Sequence, residues 1–221
     1  MLASASTVAV VADALRKHAI KKSVVDPVMV ATSGSQLLPE SAVKTLCDIL
    51  LPETFILTPN IPEANLIVKE AGLSPVNIVD LESMRKLAAA VCNLGPKYVL
   101  LKGGHVPLTS QREVAKCERE KSIVANVLCG DGTEEVFEMP FQHSRNTHGT
   151  GCSLASAIAC NLASNMGISK AVRSACRYVE AGIRSSIDLG KGSGPINHFH
   201  SIQSLPFVPY VLSRELLGHI N

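Results

Sequence analysis

Short, continuously apolar runs rich in β-formers alternate along this chain with longer segments of helical periodicity, and that alternation is the strongest constraint on its fold. Ser23 to Val25, Thr54 to Leu57 and Lys97 to Leu101 read as strands covered on both faces. Between and after them Pro39 to Leu50, Pro62 to Ala71 and Asp80 to Leu94 read as helices, the last with Leu81, Met84, Leu87, Val91 and Leu94 in register. Strands joined through helices imply an α/β fold: a mostly parallel sheet flanked by helices on both faces. Ile123 to Met139 breaks the alternation. Its two alternating runs flank Asp131-Gly132, a pair suited to positive φ angles, so it reads as an antiparallel edge hairpin.

Two helices should follow, one from Gly149 to about Met166 and one from Ser169 to Asp188 with Val172, Cys176, Val179, Ile183 and Ile187 on one face. At the other end Met1-Leu2-Ala3-Ser4 runs straight into a helical pattern, with Val8, Val11 and Leu15 sharing a face. The charged, aperiodic stretch from Gln111 to Lys121 reads as a surface loop or insertion.

The 221 residues, 46% hydrophobic and 18% charged, suffice for one sizeable core. A net charge of +2 without a clustered Lys/Arg face argues against nucleic acid as a partner. An aromatic content of 4% also disfavours base-stacking platforms. No apolar stretch reaches the ~18 to 20 residues of a membrane span, so no membrane partner is expected. Seven cysteines, an odd number with no C-x-x-C pair, suit neither a disulfide framework nor a zinc site and point to a reducing, cytoplasmic setting.

In open parallel sheets ligands bind beyond the carboxyl ends of the strands, and four sequence features fall there. In Arg145-Asn146-Thr147-His148-Gly149-Thr150-Gly151-Cys152, glycines flank a small hydroxyl residue just before an apolar helix. Such a start exposes backbone N–H groups at the positive end of a helix dipole and invites an anion. Cys152 falls in the first turn, where the dipole favours the thiolate. Close helix–sheet packing with Cys152 as a small filler explains the same residues.

Asp26, in Asp26-Pro27-Val28-Met29, either reaches a metal or a phosphate-bound water or merely starts a turn. In Thr58-Pro59-Asn60-Ile61-Pro62-Glu63, Asn60 suits an N-cap and Glu63 the third helical position, so a capping box accounts for both without a ligand. The functional alternative has Glu63 holding Mg²⁺ through water while Asn60 faces a phosphate. Lys102-Gly103-Gly104, at the end of the third strand, offers a point charge to a polyphosphate or forms an ordinary turn with an exposed lysine. His105 alone reads as a surface or capping histidine, and His198 and His200 lack further ligands at suitable spacing for a metal site. Together the four features suit a nucleotide phosphate site and phosphoryl transfer.

In the same order, Val25-Asp26-Pro27-Val28-Met29-Val30-Ala31, Leu57 to Ala64, Leu100 to His105 and Arg145 to Cys152 resemble motifs of the hydroxymethylpyrimidine/phosphomethylpyrimidine kinases of thiamine biosynthesis. Gly192-Ser193-Gly194-Pro195-Ile196-Asn197-His198-Phe199-His200 resembles that family's C-terminal signature. The resemblance implies a ribokinase-like fold, and ATP with Mg²⁺ phosphorylating 4-amino-5-hydroxymethyl-2-methylpyrimidine and then its monophosphate. It implies Cys152 as base or proton relay, Gly149, Thr150 and Gly151 as anion hole, and Asp26 and Glu63 as managers of Mg²⁺. Asn60, Lys102, Gly103 and Thr147 would lie along ATP, while Met1 and Val28 would line the pyrimidine pocket. A homodimer is implied as well.

Two departures stand out. In the family the motif matched by Met1-Leu2-Ala3-Ser4 is preceded by strands and a Gly-rich substrate loop, so the family's N-terminal strands are expected to be absent, leaving a sheet edge uncovered. Leu205-Pro206-Phe207-Val208-Pro209 faintly resembles the linker of fungal bifunctional members. This divides the chain into a partial kinase domain, 1–204, and a tail or remnant linker, 205–221. Pyridoxal kinase and a non-catalytic nucleotide-binding subunit are the competing readings.

Overall fold

The computed structural model describes residues 2–29 and 37–202. Met1 and the tail from 205 onward therefore lie outside the described residues. The chain opens with helix α1 (Ala5–Lys17), started by Ser4, whose hydroxyl accepts the Thr7 N–H. Val8 and Ala12 of α1 are fully buried, with Val11 and Leu15 packed beside them, as the periodicity requires.

Strand β1 (Val24–Val25) leads to α2 (Glu40–Thr45), which continues through a π turn (Leu46–Leu50) and a 3₁₀ turn (Leu51–Glu53) into β2 (Ile56–Leu57). Helices α3 (Ile61–Glu70) and α4 (Leu81–Cys92) connect β2 to β3 (Tyr98–Lys102). The hairpin β4 (Ile123–Gly130) and β5 (Thr133–Pro140) precedes α5 (Thr150–Ala163) and α6 (Ile168–Arg184).

The five strands lie in chain order, β1 to β3 parallel and β4 and β5 antiparallel, so the sheet is mixed. Alternation along β3 divides the interior in two. Val99 and Leu101 join Leu57, Ala125 and Val127 beneath α1 to α4, whereas Tyr98 and Leu100 join Ile56, Leu128 and Phe137 beneath α5 and α6. Aliphatic side chains predominate in both layers, joined in the second by Tyr98 and Phe137. At one edge of the sheet, β1 pairs only with β2 among the described residues.

The hairpin turns on Asp131 and Gly132, with φ of 47° and 73°, the paired positive angles of a type I′ turn. Gly130, just before it, passes so near β3 that a Cβ would lie 2.2 Å from the Lys97 carbonyl oxygen. The segment after β3 is held down more firmly than its charge pattern suggests: Leu108 is fully buried, and the Arg112 carbonyl accepts the Leu81 N–H.

One helix is shorter than expected. Helix α6 ends at Arg184, not Asp188, and Ile187 is 68% exposed instead of sharing the buried face. The Ser185 and Ser186 hydroxyls fold back onto the carbonyls of Ala181 and Ile183, taking up last-turn acceptors. Asp188 leaves the helix line to accept hydrogen bonds from Asn146 Nδ2 (2.9 Å) and Arg145 Nη2 (3.1 Å). No helix among the described residues is long and apolar enough to cross a membrane.

Candidate active site

The carboxyl ends of β1, β2 and β3 converge on one place. Asp26 directly follows β1, Thr58 directly follows β2, and Lys102 is the last residue of β3. Asp26 Oδ1 accepts from Lys102 Nζ at 2.5 Å and from the Thr58 hydroxyl at 3.0 Å. The ion pair is largely shielded, its side chains 14% and 13% exposed, and Thr58 is fully buried. Asp26 Oδ2 has no hydrogen-bond donor among the described residues.

The N-terminus of α5 closes over this pair. Gly149 takes φ 81°, the left-handed conformation that turns the chain into the helix, and no side chain caps the start. The Thr150 hydroxyl and N–H both turn back to the Thr147 carbonyl, at 3.0 and 3.4 Å. The N–H groups of Gly151 and Cys152 find no acceptor among the described residues, leaving two donors at the positive helix end. Gly151 eases the approach: a Cβ there would lie 3.2 Å from Lys102 Nζ and 3.5 Å from Asp26 Oδ2.

Cys152 is exposed and lines a cleft of about 500 Å³ between α5 and α6, with Ser156, Cys160, Tyr178 and His198. Other thiols are poor candidates for proton transfer. Burial pushes Cys47 and Cys129 up to about 12 and Cys176 up to about 11.

Asn60 and Glu63 form the capping box that their spacing suggests. Asn60 Oδ1 accepts the Glu63 N–H and Glu63 Oε2 accepts the Asn60 N–H, both at 2.8 Å, while Glu63 Oε1 accepts the Met29 N–H at 3.4 Å. Both Glu63 oxygens thus serve backbone donors, and the residue is only 2% exposed. Burial raises its carboxyl above the usual range, aided by the Asp26 charge and opposed by the Asn60 and Met29 N–H groups and the Lys102 charge.

Other residues named from the sequence take varied positions. Val28 is half-buried beside Asp26, in a tight turn in which its N–H donates to the Asp26 carbonyl. Gly103 is buried because a Cβ would lie 2.1 Å from the Ala125 carbonyl oxygen, so sheet packing accounts for it. Thr147 is exposed at the mouth of the α5 turn.

Sequence reasoning missed Asn126, whose Oδ1 accepts the Gly103 N–H at 3.2 Å and steadies the turn after Lys102. It also missed the tie between the loop before α5 and the C-terminal segment. The His148 N–H donates to the Gly194 carbonyl, and a Cβ on Gly194 would lie 2.1 Å from Asn146 Oδ1. Only the Gly-x-Gly-Pro composition of that segment signalled a close approach.

A hard, oxygen-seeking cation such as Mg²⁺ suits a site with one free carboxylate oxygen beside anion-binding N–H groups, because it keeps several waters and shares substrate phosphates. Asp26 Oδ2 meets that requirement, whereas each Glu63 oxygen already accepts one backbone N–H. No cluster of three or more His, Cys, Asp or Glu side chains forms a full protein cage among the described residues.

A mixed sheet with helices on both faces, a charged pair at the strand ends and an uncapped Gly-rich helix start over it define a ribokinase-like kinase domain. Comparison with known proteins narrows the class. The chain belongs to the phosphomethylpyrimidine kinase family, whose sequence model matches residues 1–197. The hydroxymethylpyrimidine/phosphomethylpyrimidine kinase of Rhizobium meliloti is 38% identical over 204 residues, covering 90% of this chain and 69% of that protein.

A Schizosaccharomyces pombe relative is 38% identical over 99% of this chain, and the thiamine biosynthesis bifunctional protein of Geobacter sulfurreducens 39% over 90%. The chain spans only 40% and 36% of the length of those two relatives. Among solved structures, an ADP complex of Bacillus subtilis pyridoxal kinase superposes with a TM-score of 0.75 at 26% identity, covering 91% of this chain and 69% of that one. Phosphomethylpyrimidine kinase from Clostridium difficile gives 0.61 at 31%, covering 81% and 64%.

Proposed function

We propose that the chain carries the phosphoryl-transfer site of a kinase that uses Mg·ATP to phosphorylate 4-amino-5-hydroxymethyl-2-methylpyrimidine and its monophosphate. The observation that carries this reading is the shielded Lys102–Asp26 pair lying against Gly151, at a helix start where the Gly151 and Cys152 N–H groups find no acceptor among the described residues. Phosphoryl transfer requires mainly positioning and stabilisation of charge on the transferring oxygens, and those groups supply both.

In this reading the Gly151 and Cys152 N–H groups bind the oxygens of the transferring γ-phosphoryl group, and the Lys102 ammonium neutralises charge along the polyphosphate. Asp26 Oδ2 would hold Mg²⁺, which when bound would offset phosphate charge. Cys152, as base or proton relay, takes up the proton of the attacking hydroxymethyl group as its oxygen bonds to phosphorus and the bond to ADP breaks. Glu63 keeps α3 and the Met29 backbone in register, which keeps Asp26 in place. Thr147 and Asn60, near the ends of these loops, border the nucleotide.

The pyrimidine alcohol is favoured over pyridoxal by the family match and by identities of 38% to the Rhizobium kinase against 26% to the Bacillus pyridoxal kinase. Pyridoxal remains the second reading because the closer superposition is to that enzyme, 0.75 against 0.61. ADP release measured with each alcohol separates the two. Preferential turnover of pyridoxal reverses the assignment, and Mg·ATP binding without turnover of either alcohol assigns the chain a nucleotide-binding role instead.

A further inference from the structure

We propose that Thr58 is a positioning residue that aims the Asp26 carboxylate, and through it the divalent cation, at the N-terminus of α5. This rests on the phosphate site argued above but concerns a residue that the sequence motif left without a role. Thr58 is fully buried just after β2, the strand between β1, which Asp26 follows, and β3, which ends in Lys102.

Its backbone is already held, the N–H donating to the Val25 carbonyl at 2.9 Å. The hydroxyl is therefore spare for a second task. It donates to Asp26 Oδ1 at 3.0 Å, and the Val25 carbonyl, at 3.5 Å, is the more distant acceptor.

The consequence lies in how one carboxylate is shared. Lys102 alone, a rotatable point charge, would leave Asp26 free to swing and to offer both oxygens to the ammonium. With Thr58 also bonded to Oδ1, that oxygen carries two donors on the sheet side and Oδ2 is left toward Gly151. Thr58 thus separates the carboxylate into a structural oxygen and an oxygen available to a hydrated cation. Removing the hydroxyl should let Lys102 claim both oxygens, weakening the cation's hold more than the phosphate contacts made by backbone N–H groups. Groups that orient a metal-holding carboxylate usually change cation affinity by about 10- to 100-fold when removed.

The test uses the full chain as wild type, Thr58→Val, Thr58→Ala and Thr58→Ser. Binding of a fluorescent ATP analogue is titrated with MgCl₂, and thermal melting is followed in parallel. The Mg²⁺ concentration for half-maximal nucleotide binding should rise about tenfold in Thr58→Val and Thr58→Ala and stay within about twofold in Thr58→Ser. Alanine covers the case in which valine disturbs folding, because it adds no bulk.

Wild-type Mg²⁺ dependence in a folded Thr58→Val or Thr58→Ala chain overturns the positioning role. So does a shift in Thr58→Ser as large as theirs, since serine retains the hydroxyl. Failure of the wild type itself to bind nucleotide strikes at the phosphate-site reading instead, so the two failures are told apart.

Discussion

The Lys102 ammonium lies 2.5 Å from Asp26 Oδ1, and Gly151 passes so close to the pair that a single methyl group added there would sit 3.2 Å from the ammonium. One charged pair therefore joins the ends of β1 and β3 and also forms the floor under the start of α5.

Gly151→Ala should push the flexible end of Lys102 aside without disturbing the core. The dissociation constant for Mg·ATP should rise about tenfold, which corresponds to ~1.4 kcal/mol. Melting should be nearly unchanged. Calorimetric titration checks this, and an unchanged affinity would show that the close approach has no bearing on nucleotide binding.

Lys102→Met leaves a shielded carboxylate without its partner. Removing one member of a largely buried pair should cost about 2 kcal/mol in urea unfolding, below the range for fully buried pairs. Adding Asp26→Asn should recover most of that loss, because the unpaired charge goes with it. Neither variant should bind Mg·ATP well. Equal stability of the single and double variants would contradict the coupling.

Cysteine reactivity should divide along burial. Cys117, Cys152 and Cys160 are exposed and should alkylate readily at neutral pH, whereas Cys47, Cys129 and Cys176, raised to about 12, 12 and 11 by burial, should stay largely unmodified in the folded chain. Mg·ATP should slow labelling of Cys152 but not of Cys117, a contrast readable by peptide mass spectrometry. Cys152→Ala should lower turnover while leaving ATP affinity close to wild type, since the thiol acts on the acceptor's proton.

Glu63 gives stability a recognisable pH dependence. Burial raises its carboxyl in the folded chain, so the folded state holds the proton more tightly than the unfolded state. Its contribution is complete below the unfolded value of about 4.3 and is lost as pH rises through the higher folded value. Urea midpoints, compared between wild type and Glu63→Gln, should show the wild type declining more across that window. Glutamine should also lower stability at acid pH, since its amide nitrogen cannot accept the backbone N–H groups that the carboxyl oxygens serve. Parallel pH profiles in the two proteins would contradict the role of burial.

Much of the fold was legible because its signals are local. Asp131-Gly132 specifies its turn through two backbone angles, and Asn60 and Glu63 specify a helix start through two reciprocal bonds three residues apart. Gly149 marks the entry to α5 for the same kind of reason. The end of α6 was not legible, because it depends on Asp188 bonding Arg145 and Asn146 in a distant loop, which no helical period encodes. Glu63 illustrates the boundary: its spacing announced a cap, and only tertiary structure showed that the residue is buried and that its second oxygen accepts the Met29 N–H.

The sequence by itself determined which segments become strands and helices and which chemical groups stand at the strand ends, because periodicity and turn chemistry act over a few residues. Tertiary structure decided that Asp26 and Lys102, 76 residues apart, share a proton-bearing contact, that Thr58 holds one oxygen of that carboxylate, and that Gly151 closes over them. Those relations follow from strand order and register, which place the ends of β1, β2 and β3 side by side.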